Sequence, residues 1–342
     1  MESKILTVAI PSYNVEKFLK TTLNSFVCDA ATMEKIEIIV VDDGSKDNTA
    51  AIGKEYAQKY PQTFRVISKE NGGHGSAVNC GIENAVGKYY KIVDGDDWVN
   101  TADFVKLVER LENCDAEYVF THYCEYYDDI GRQKAVDYPQ FEDGKTYTFK
   151  DFDSTFHIPM HALIIRTDIL KNHNIRLGEK CFYVDVEYIT FPVPYVNHIT
   201  FFDLHVYMYR LNLSTQSVSV QGYQKHIEDH TRVVFRLVDF YNRYSADDNA
   251  DEYKKAYILL IATNCVLLQS NIYSSYPDKD RENRKRFAAF DAELKKRSPA
   301  VYANSAARSA KLRLLRKYNF RHYAAIQFAS KLRNRGIGGN EK

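Results

Sequence analysis

Four short apolar runs near the start of the chain, each followed by a polar turn and a segment of helical period, constrain its fold more than any other feature. Residues 5–10, 36–41, 64–68 and 89–93 show little polar alternation, as expected of strands covered on both faces. Between them, 15–26 sets Phe18, Leu19, Leu23 and Phe26 at helical spacing. Segment 47–60 opens on Asp47 or Asn48 as a cap, and 76–86 runs up to Gly87. This alternation predicts an α/β fold on a doubly wound, mostly parallel sheet.

Further strands are expected at 118–120, 123–127, 134–138, 146–149, 162–165 and 199–209. From Gly222 the pattern is helical over 223–244, 252–273 and 281–296, followed by a basic helical end. The expected division is one α/β domain over 1–220, with halves 1–110 and 111–220, and an appended helical region over 221–342. A chain of 342 residues is long enough for both. Segment 256–277 is uncharged, but Thr263, Asn264, Gln269, Ser270 and Asn271 interrupt it. Its apolar part falls short of the roughly 20 residues a bilayer core demands, so a buried helix is expected.

The net charge of +1 singles out no partner, and no nucleic acid is expected. Charge is uneven locally. Segment 308–335 carries Arg308, Lys311, Arg313, Arg316, Lys317, Arg321, Lys331, Arg333 and Arg335 without one acid. Leu312, Leu315, Tyr323, Ile326, Phe328 and Leu332 lie among these cations, a pattern that suits an anionic membrane surface. Six scattered cysteines without a CxxC pair, and an opening Met1-Glu2-Ser3-Lys4 without a leader, fit reduced thiols in the cytoplasm.

Ligands of open parallel sheets bind at the carboxyl ends of the strands. Here those ends read Pro11-Ser12-Tyr13-Asn14, Asp42-Asp43-Gly44-Ser45, Asn71-Gly72-Gly73-His74-Gly75 and Asp94-Gly95-Asp96-Asp97. The second is either a plain turn or a carboxylate for a base imide or a ribose hydroxyl. In the fourth, three carboxylates raise one another's pKa unless a cation is present, and oxygen ligands suit Mg²⁺ or Mn²⁺ with substrate phosphates. The third leads into a helix whose N–H groups can face an anion. It is no dinucleotide fingerprint, because Val78 stands where Gly or Ala is needed and the first turn has no glycine. No GKS or GKT phosphate loop is present, so neither a dinucleotide-binding dehydrogenase nor a nucleotide triphosphatase of that type is expected.

Taken together, Val8-Ala9-Ile10-Pro11-Ser12-Tyr13-Asn14, Val40 to Thr49 with its Asp-Asp-Gly-Ser, Asn71-Gly72-Gly73 and Asp94-Gly95-Asp96-Asp97-Trp98 resemble glycosyltransferase family 2 with the GT-A fold. The resemblance is strong over 4–110 and fades by 220. It implies inverting transfer from a nucleoside-diphosphate sugar, with Mn²⁺ or Mg²⁺ as cofactor. It places Pro11, Tyr13 and Asn14 along a uracil site, with Asp43 meeting the base and Asp42 beside it. Asp94 and Asp96 match the DxD motif that holds the ribose and the metal, and Asp97 is a second candidate metal ligand. Asn71, Gly72, Gly73, His74, Asn79, Gly95 and Arg210 complete the implied donor site. Asp185 aligns with the catalytic base although Val184 replaces the usual Glu, and Glu187 is the alternative. Tyr207-Met208-Tyr209-Arg210 and Ser217-Val218-Ser219 match an element near the donor diphosphate. Ala77-Val78-Asn79 lacks the family's arginine, leaving His74 or Arg210 to assist the phosphates. His161 is a candidate for the acceptor side.

The activity implied is transfer of a hexose or related sugar from a UDP-sugar to the hydroxyl of a glycan or lipid-linked acceptor. The setting implied is bacterial cell-surface polysaccharide or glycoconjugate synthesis, in the cytoplasm or at the inner face of the membrane, with a homo-oligomer open. A sugar nucleotidyltransferase or a non-catalytic nucleotide-sugar-binding subunit is the competing reading.

Overall fold

The structure, a computed structural model, describes residues 4–211, 219–277 and 280–326. The chain divides into two compact units at Gln216/Ser217. The first runs β1 (Leu6–Ser12), α1 (Glu16–Asn24), α2 (Ala30–Lys35), β2 (Ile36–Asp42), α3 (Thr49–Lys59), β3 (Phe64–Ser68), α4 (His74–Asn84) and β4 (Tyr89–Ile92). It continues with β5 (Trp98–Val99), α5 (Thr101–Glu112), β6 (Tyr118–Tyr127), β7 (Arg132–Val136), β8 (Thr146–Tyr147), β9 (Leu163–Arg166), α6 (Thr167–Asn172), α7 (Asp185–Thr190) and β10 (Ile199–Leu211).

One sheet carries this unit, in the order β3-β2-β1-β4-β9-β6-β10-β5, with β7 beside β6 and β8 beside β10. The four strands read from the apolar runs pair in parallel, and every residue of β1, β2 and β4 is buried. Their register matters for function: Ser12 lies opposite Asp42 and Asp42 opposite Ser68, so three strands end level and present their loops together. The second half of the sheet is mixed. β9 runs antiparallel to both β4 and β6, while β10 is parallel to β6 and antiparallel to β5 and β8. The register of β10 shifts on both sides of His205, an irregularity that re-aims the side chains after it.

Two expected segments, 118–120 and 123–127, form the single strand β6. Helix α5 was not expected, although Phe104, Leu107, Val108 and Leu111 form its buried stripe and Asn100 caps it by accepting from the Ala102 and Asp103 N–H groups.

The second unit is helical: α8 (Val220–Lys225), α9 (Ile227–Ser245), α10 (Glu252–Ser275), α11 (Arg281–Arg297), α12 (Pro299–Arg308) and α13 (Ala310–Lys317). Among the described residues α10 alone is long and apolar enough to cross a membrane, and 67% of its most apolar window is buried within the protein. The basic end differs from an amphipathic membrane segment in one respect. Leu312, Leu315 and Tyr323 are buried in the fold, and Arg316 is held by Asp291 over the ring of Tyr302. Its apolar side is therefore already covered at these positions. Phe328, Leu332, Ser217 and Val218 lie outside the described residues.

Candidate active site

The level ends of β1, β2 and β3 are laced together by main-chain and carboxylate contacts. The Asp43 N–H donates to Ser12 O and the Lys69 N–H to Asp42 O (2.9 and 3.0 Å). Asp42 Oδ1 accepts from the Ser45 N–H at 3.0 Å. Asn14 sits in the left-handed region (φ 54°), donates its N–H to Ser45 Oγ and accepts from the Lys46 N–H. Pro11 is buried in β1, and Tyr13 is 47% exposed. The carboxylate of Asp43, itself buried, accepts from Lys69 Nζ (2.8 Å), the Gly72 N–H (3.0 Å) and the Gly73 N–H (2.8 Å), while its carbonyl accepts from Asn71 Nδ2. Asp43 thus shapes the glycine loop besides any contact with a base.

That loop opens α4. Gly73 (φ 83°) is its N-cap, and a Cβ on Gly75 would stand 2.0 Å from Gly178 O. The close approach docks segment 177–181 onto α4, where the Lys180 N–H donates to Gly72 O. Asn79 belongs to this docking: it is 2% exposed, its Nδ2 donates to Leu177 O (3.0 Å) and its Oδ1 accepts from the Leu177 N–H (2.9 Å). The amide expected to meet the donor is engaged at both ends by main chain, so Asn79 is a positioning residue.

The acidic turn follows β4. The Asp97 N–H closes it onto Asp94 O at 3.0 Å, which brings the side chains of Asp94 and Asp97 to one side. Asp97 is almost wholly buried, with Oδ2 accepting from the Tyr207 hydroxyl (2.6 Å) and Oδ1 from the Arg210 N–H (2.7 Å). Gly95 O accepts from the Thr22 hydroxyl, and Asp96 O from Arg210 Nε (2.8 Å). Among the described residues the Asp96 carboxylate accepts no hydrogen bond from another residue. Burial, then the charge of Asp94, pushes the Asp96 carboxyl up to about 6. Burial, then Asp96 and Asp94, pushes Asp97 well above the usual range. Burial opposes ionisation of Asp94 too, but the His74 hydrogen bond (Nε2 to Oδ1, 3.0 Å) prevails and its pKa falls.

Such a turn fits a divalent cation, whose charge would relieve all three acids. The pair expected from sequence was Asp96 with Asp97. The structure instead gathers Asp94, Asp97 and His161, whose candidate ligand atoms lie within 4.8 Å of one another. Asp96 is not part of that group, although the charge of Asp94 reaches it. Both Asp97 oxygens already accept short hydrogen bonds. The carboxylate with oxygens to give is therefore Asp96, with Asp94 beside it.

Asp185 is the first residue of α7, not its cap, which is Val184. Burial raises its pKa, and Asp94 adds to the rise while His74 opposes it. Glu187, the alternative base, is fully buried and its Oε2 accepts from the Gly178 N–H at 2.7 Å, which ties it to segment 177–181. Burial works against a charged His74, yet Asp94, Asp185 and Asp96 raise its pKa above the usual value. His161 stacks on Tyr209 (4.0 Å between centroids) with Tyr207 edge-on at 4.9 Å, and burial lowers its pKa to about 4. Arg210 lies over the Trp98 ring at 4.7 Å and pairs with Asp128, which fixes it against the acidic turn.

One residue behind this site escaped the sequence reading. Lys91, fully buried in β4, donates Nζ to His161 O (2.8 Å) and Leu163 O (3.3 Å), 5.3 Å from the Tyr207 ring centroid. Burial lowers its pKa to about 7. In the sequence it is a lone polar residue in a strand, and only the position of β9 and β10 reveals what it holds.

Residues 7–173 match the family model described as glycosyl transferase family 2. The chain is 27% identical to a Bacillus subtilis protein described as the uncharacterized glycosyltransferase EpsJ, over 76% of this chain and 78% of that one. In fold it is similar to residues 1–349 of S. aureus TarS in complex with UDP, at TM-score 0.69 and 19% identity, covering 96% of this chain and 91% of that one. It is also similar to the mannosyltransferase PcManGT of Pyrobaculum calidifontis in complex with GDP-Man and Mn²⁺, at TM-score 0.50 and 15% identity over 100% and 89% of the two chains.

Proposed function

We propose, from the match of residues 7–173 to the glycosyl transferase family 2 model and from the GT-A fold, that the chain is a nucleotide-sugar glycosyltransferase that transfers a hexose or related sugar from a UDP-sugar to an acceptor hydroxyl with inversion. The acidic turn carries this reading. Three carboxylates in one closed turn, one with uncommitted oxygens and a pKa near 6, sit at the level ends of a parallel sheet. Asp94 and Asp96 would hold Mn²⁺ or Mg²⁺, and a bound ion supplies Lewis-acid stabilisation of the charge on the departing diphosphate. The TarS complex supports UDP as the nucleotide.

The protein's own groups divide the remaining work. Asp43 and the glycine loop it clamps frame the base and ribose, with Pro11, Tyr13 and Asn14 alongside. His74, charged through Asp94, faces the phosphates and makes up for the family arginine that Val78 replaces. Tyr207 and Arg210 keep the acidic turn closed through Asp97 and Asp96 O. Asp185 accepts the proton of the attacking hydroxyl, and its raised pKa suits a base that must bind that proton. A double-displacement route needs a second carboxylate facing the sugar, and Glu187 is fully buried. His161, neutral between Tyr207 and Tyr209, lies on the acceptor side.

The proposed setting is synthesis of a cell-surface polysaccharide or glycoconjugate on a glycan or lipid-linked acceptor at the cytoplasmic face of the membrane. The expected division at 220 is proposed as catalytic domain and helical appendage. Contact with anionic lipid would use the charges of 308–335 rather than Leu312, Leu315 or Tyr323.

Thermal unfolding with nucleotide sugars tests the reading, since a ligand that binds the folded state raises the midpoint. UDP-sugars are expected to raise it with Mn²⁺ present and far less without. Asp96→Ala should abolish the metal-dependent part and reduce donor turnover at least ~100-fold. Equal turnover by variant and parent in Mn²⁺ would remove the metal assignment.

A further inference from the structure

The helical unit contains a cavity that the catalytic reading does not use. It is an open cleft of about 280 Å³ lined by Asp280, Arg281, Arg284, Arg321, His322 and Tyr323. One wall is the first turn of α11 and the other is the segment after α13. The walls are anchored from beneath: Tyr323 is 2% exposed and donates its hydroxyl to Tyr273 O (3.0 Å), and Asn283 Nδ2 donates to the same carbonyl (2.8 Å). The cleft therefore has a fixed floor under a cationic rim.

The charge at that rim is not neutralised within the described residues. Arg286, Arg297 and Arg316 of the same unit each hold a carboxylate. Arg281, Arg284 and Arg321 pair with none among the described residues. Among the described residues lining the cleft, the acid is Asp280, which caps α11 by accepting from the Asn283 N–H at 2.9 Å. The sequence supplies no other acid after it nearby on the second wall, since no Asp or Glu occurs from Leu294 to Asn340. Three arginines and a histidine line this one small cleft, and arginine binds phosphate oxygens through paired N–H groups.

We propose that this cleft is a binding site for a phosphate-bearing group, carried either on a soluble molecule or on a lipid headgroup. It is separate from the donor crevice, and its existence does not depend on the chemistry assigned there. In a transferase it would hold a phosphorylated acceptor or a phospholipid surface to the helical unit.

The full-length protein would be titrated, without divalent ions, with glycerol 3-phosphate by calorimetry. In parallel it would be sedimented with phosphatidylcholine vesicles with and without phosphatidylglycerol. Binding is expected in at least one arm, and the arm that responds identifies the source of the phosphate. The triple variant Arg281→Gln, Arg284→Gln, Arg321→Gln should weaken it at least ~10-fold, with UDP binding in Mn²⁺ unchanged. A control with charge removed elsewhere on the unit, Arg243→Gln with Arg313→Gln, should bind as the parent does. Binding of neither probe, or equal binding by the triple variant and parent, or equal loss in the control, would overturn the proposal. Loss of UDP binding by the parent would count against the catalytic reading alone.

Discussion

At the scale of single residues, the site is an exercise in keeping carboxylates apart in function while close in space. Asp43 and Asp97 are saturated by donors and hold loops; Glu187 accepts from the Gly178 N–H through Oε2; Asp94 is paired with His74; Asp96 and Asp185 are the acids whose pKa burial raises without a saturating partner. For Asp185→Asn the expectation is intact UDP binding with transfer reduced ~100-fold or more. In the parent, transfer should fall on the acid side at a higher pH than an ordinary aspartate would give, since the base works only when ionised. A pH–rate profile of transfer, with donor binding measured alongside, checks both; unchanged transfer in the variant would move the base elsewhere. Tyr207→Phe should cost about 1–3 kcal/mol of stability, because Asp97 then loses a donor while buried. Denaturant unfolding reads that loss, and a variant as stable as the parent would deny Tyr207 its role in holding the turn.

At the scale of elements, function depends on how closely α4 and segment 177–181 approach. Gly75 permits main-chain contact with Gly178, Asn79 pins Leu177, and the docked segment then delivers Asp185 at the start of α7. Gly75→Ala should therefore lower stability by about 1–3 kcal/mol and reduce transfer more than UDP binding, since it displaces the base rather than the nucleotide loops. A melting curve with a donor titration reads both effects, and a variant unchanged in both would contradict the close approach. The helix signal at 101–112 shows how a real element is passed over. Phe104, Leu107, Val108 and Leu111 have the spacing and Asn100 the cap, so the signal for this helix is local and present in the sequence.

At the scale of the whole molecule, each unit carries a buried histidine that responds to acid. Burial depresses His230 of the helical unit to about 4. Its folded pKa lies below its unfolded value, so the unfolded chain binds the extra proton. The stability from keeping it neutral is complete above pH ~6.5 and is lost as pH falls towards 4, up to about 3 kcal/mol. Asp96, raised to about 6, works the other way, because its protonation on acidification favours the folded catalytic unit. His161 of the catalytic unit, also lowered to about 4 by burial, acts in the same sense as His230 and opposes Asp96, so both units lose histidine-derived stability between pH 6.5 and 4. His230→Gln should flatten that dependence, as followed by urea unfolding at several pH values; an unchanged slope would remove His230 as its source. Truncation of 308–342 is a poor probe of membrane contact, since it would strip buried Leu312, Leu315 and Tyr323 from the core.

The sequence by itself determined the parallel half of the sheet and the loops at its carboxyl ends. Strands buried on both faces must be apolar throughout, and turns before helices need glycine, asparagine or aspartate, so both signals are local. It also brought Asp42, Asp43, the glycine loop and the acidic turn to one edge, because strand order follows from right-handed crossovers. What only the tertiary structure decided is which of those acids is free. Asp96 differs from Asp97, and Asp185 from Glu187, through donors contributed by Tyr207, Arg210 and Gly178, which lie far from the acidic turn or across a loop in sequence. Lys91 and Asn79 gained their positions in the same way. Hydrogen bonds made across the fold depend on where β9, β10 and α7 come to rest, and no local pattern encodes that.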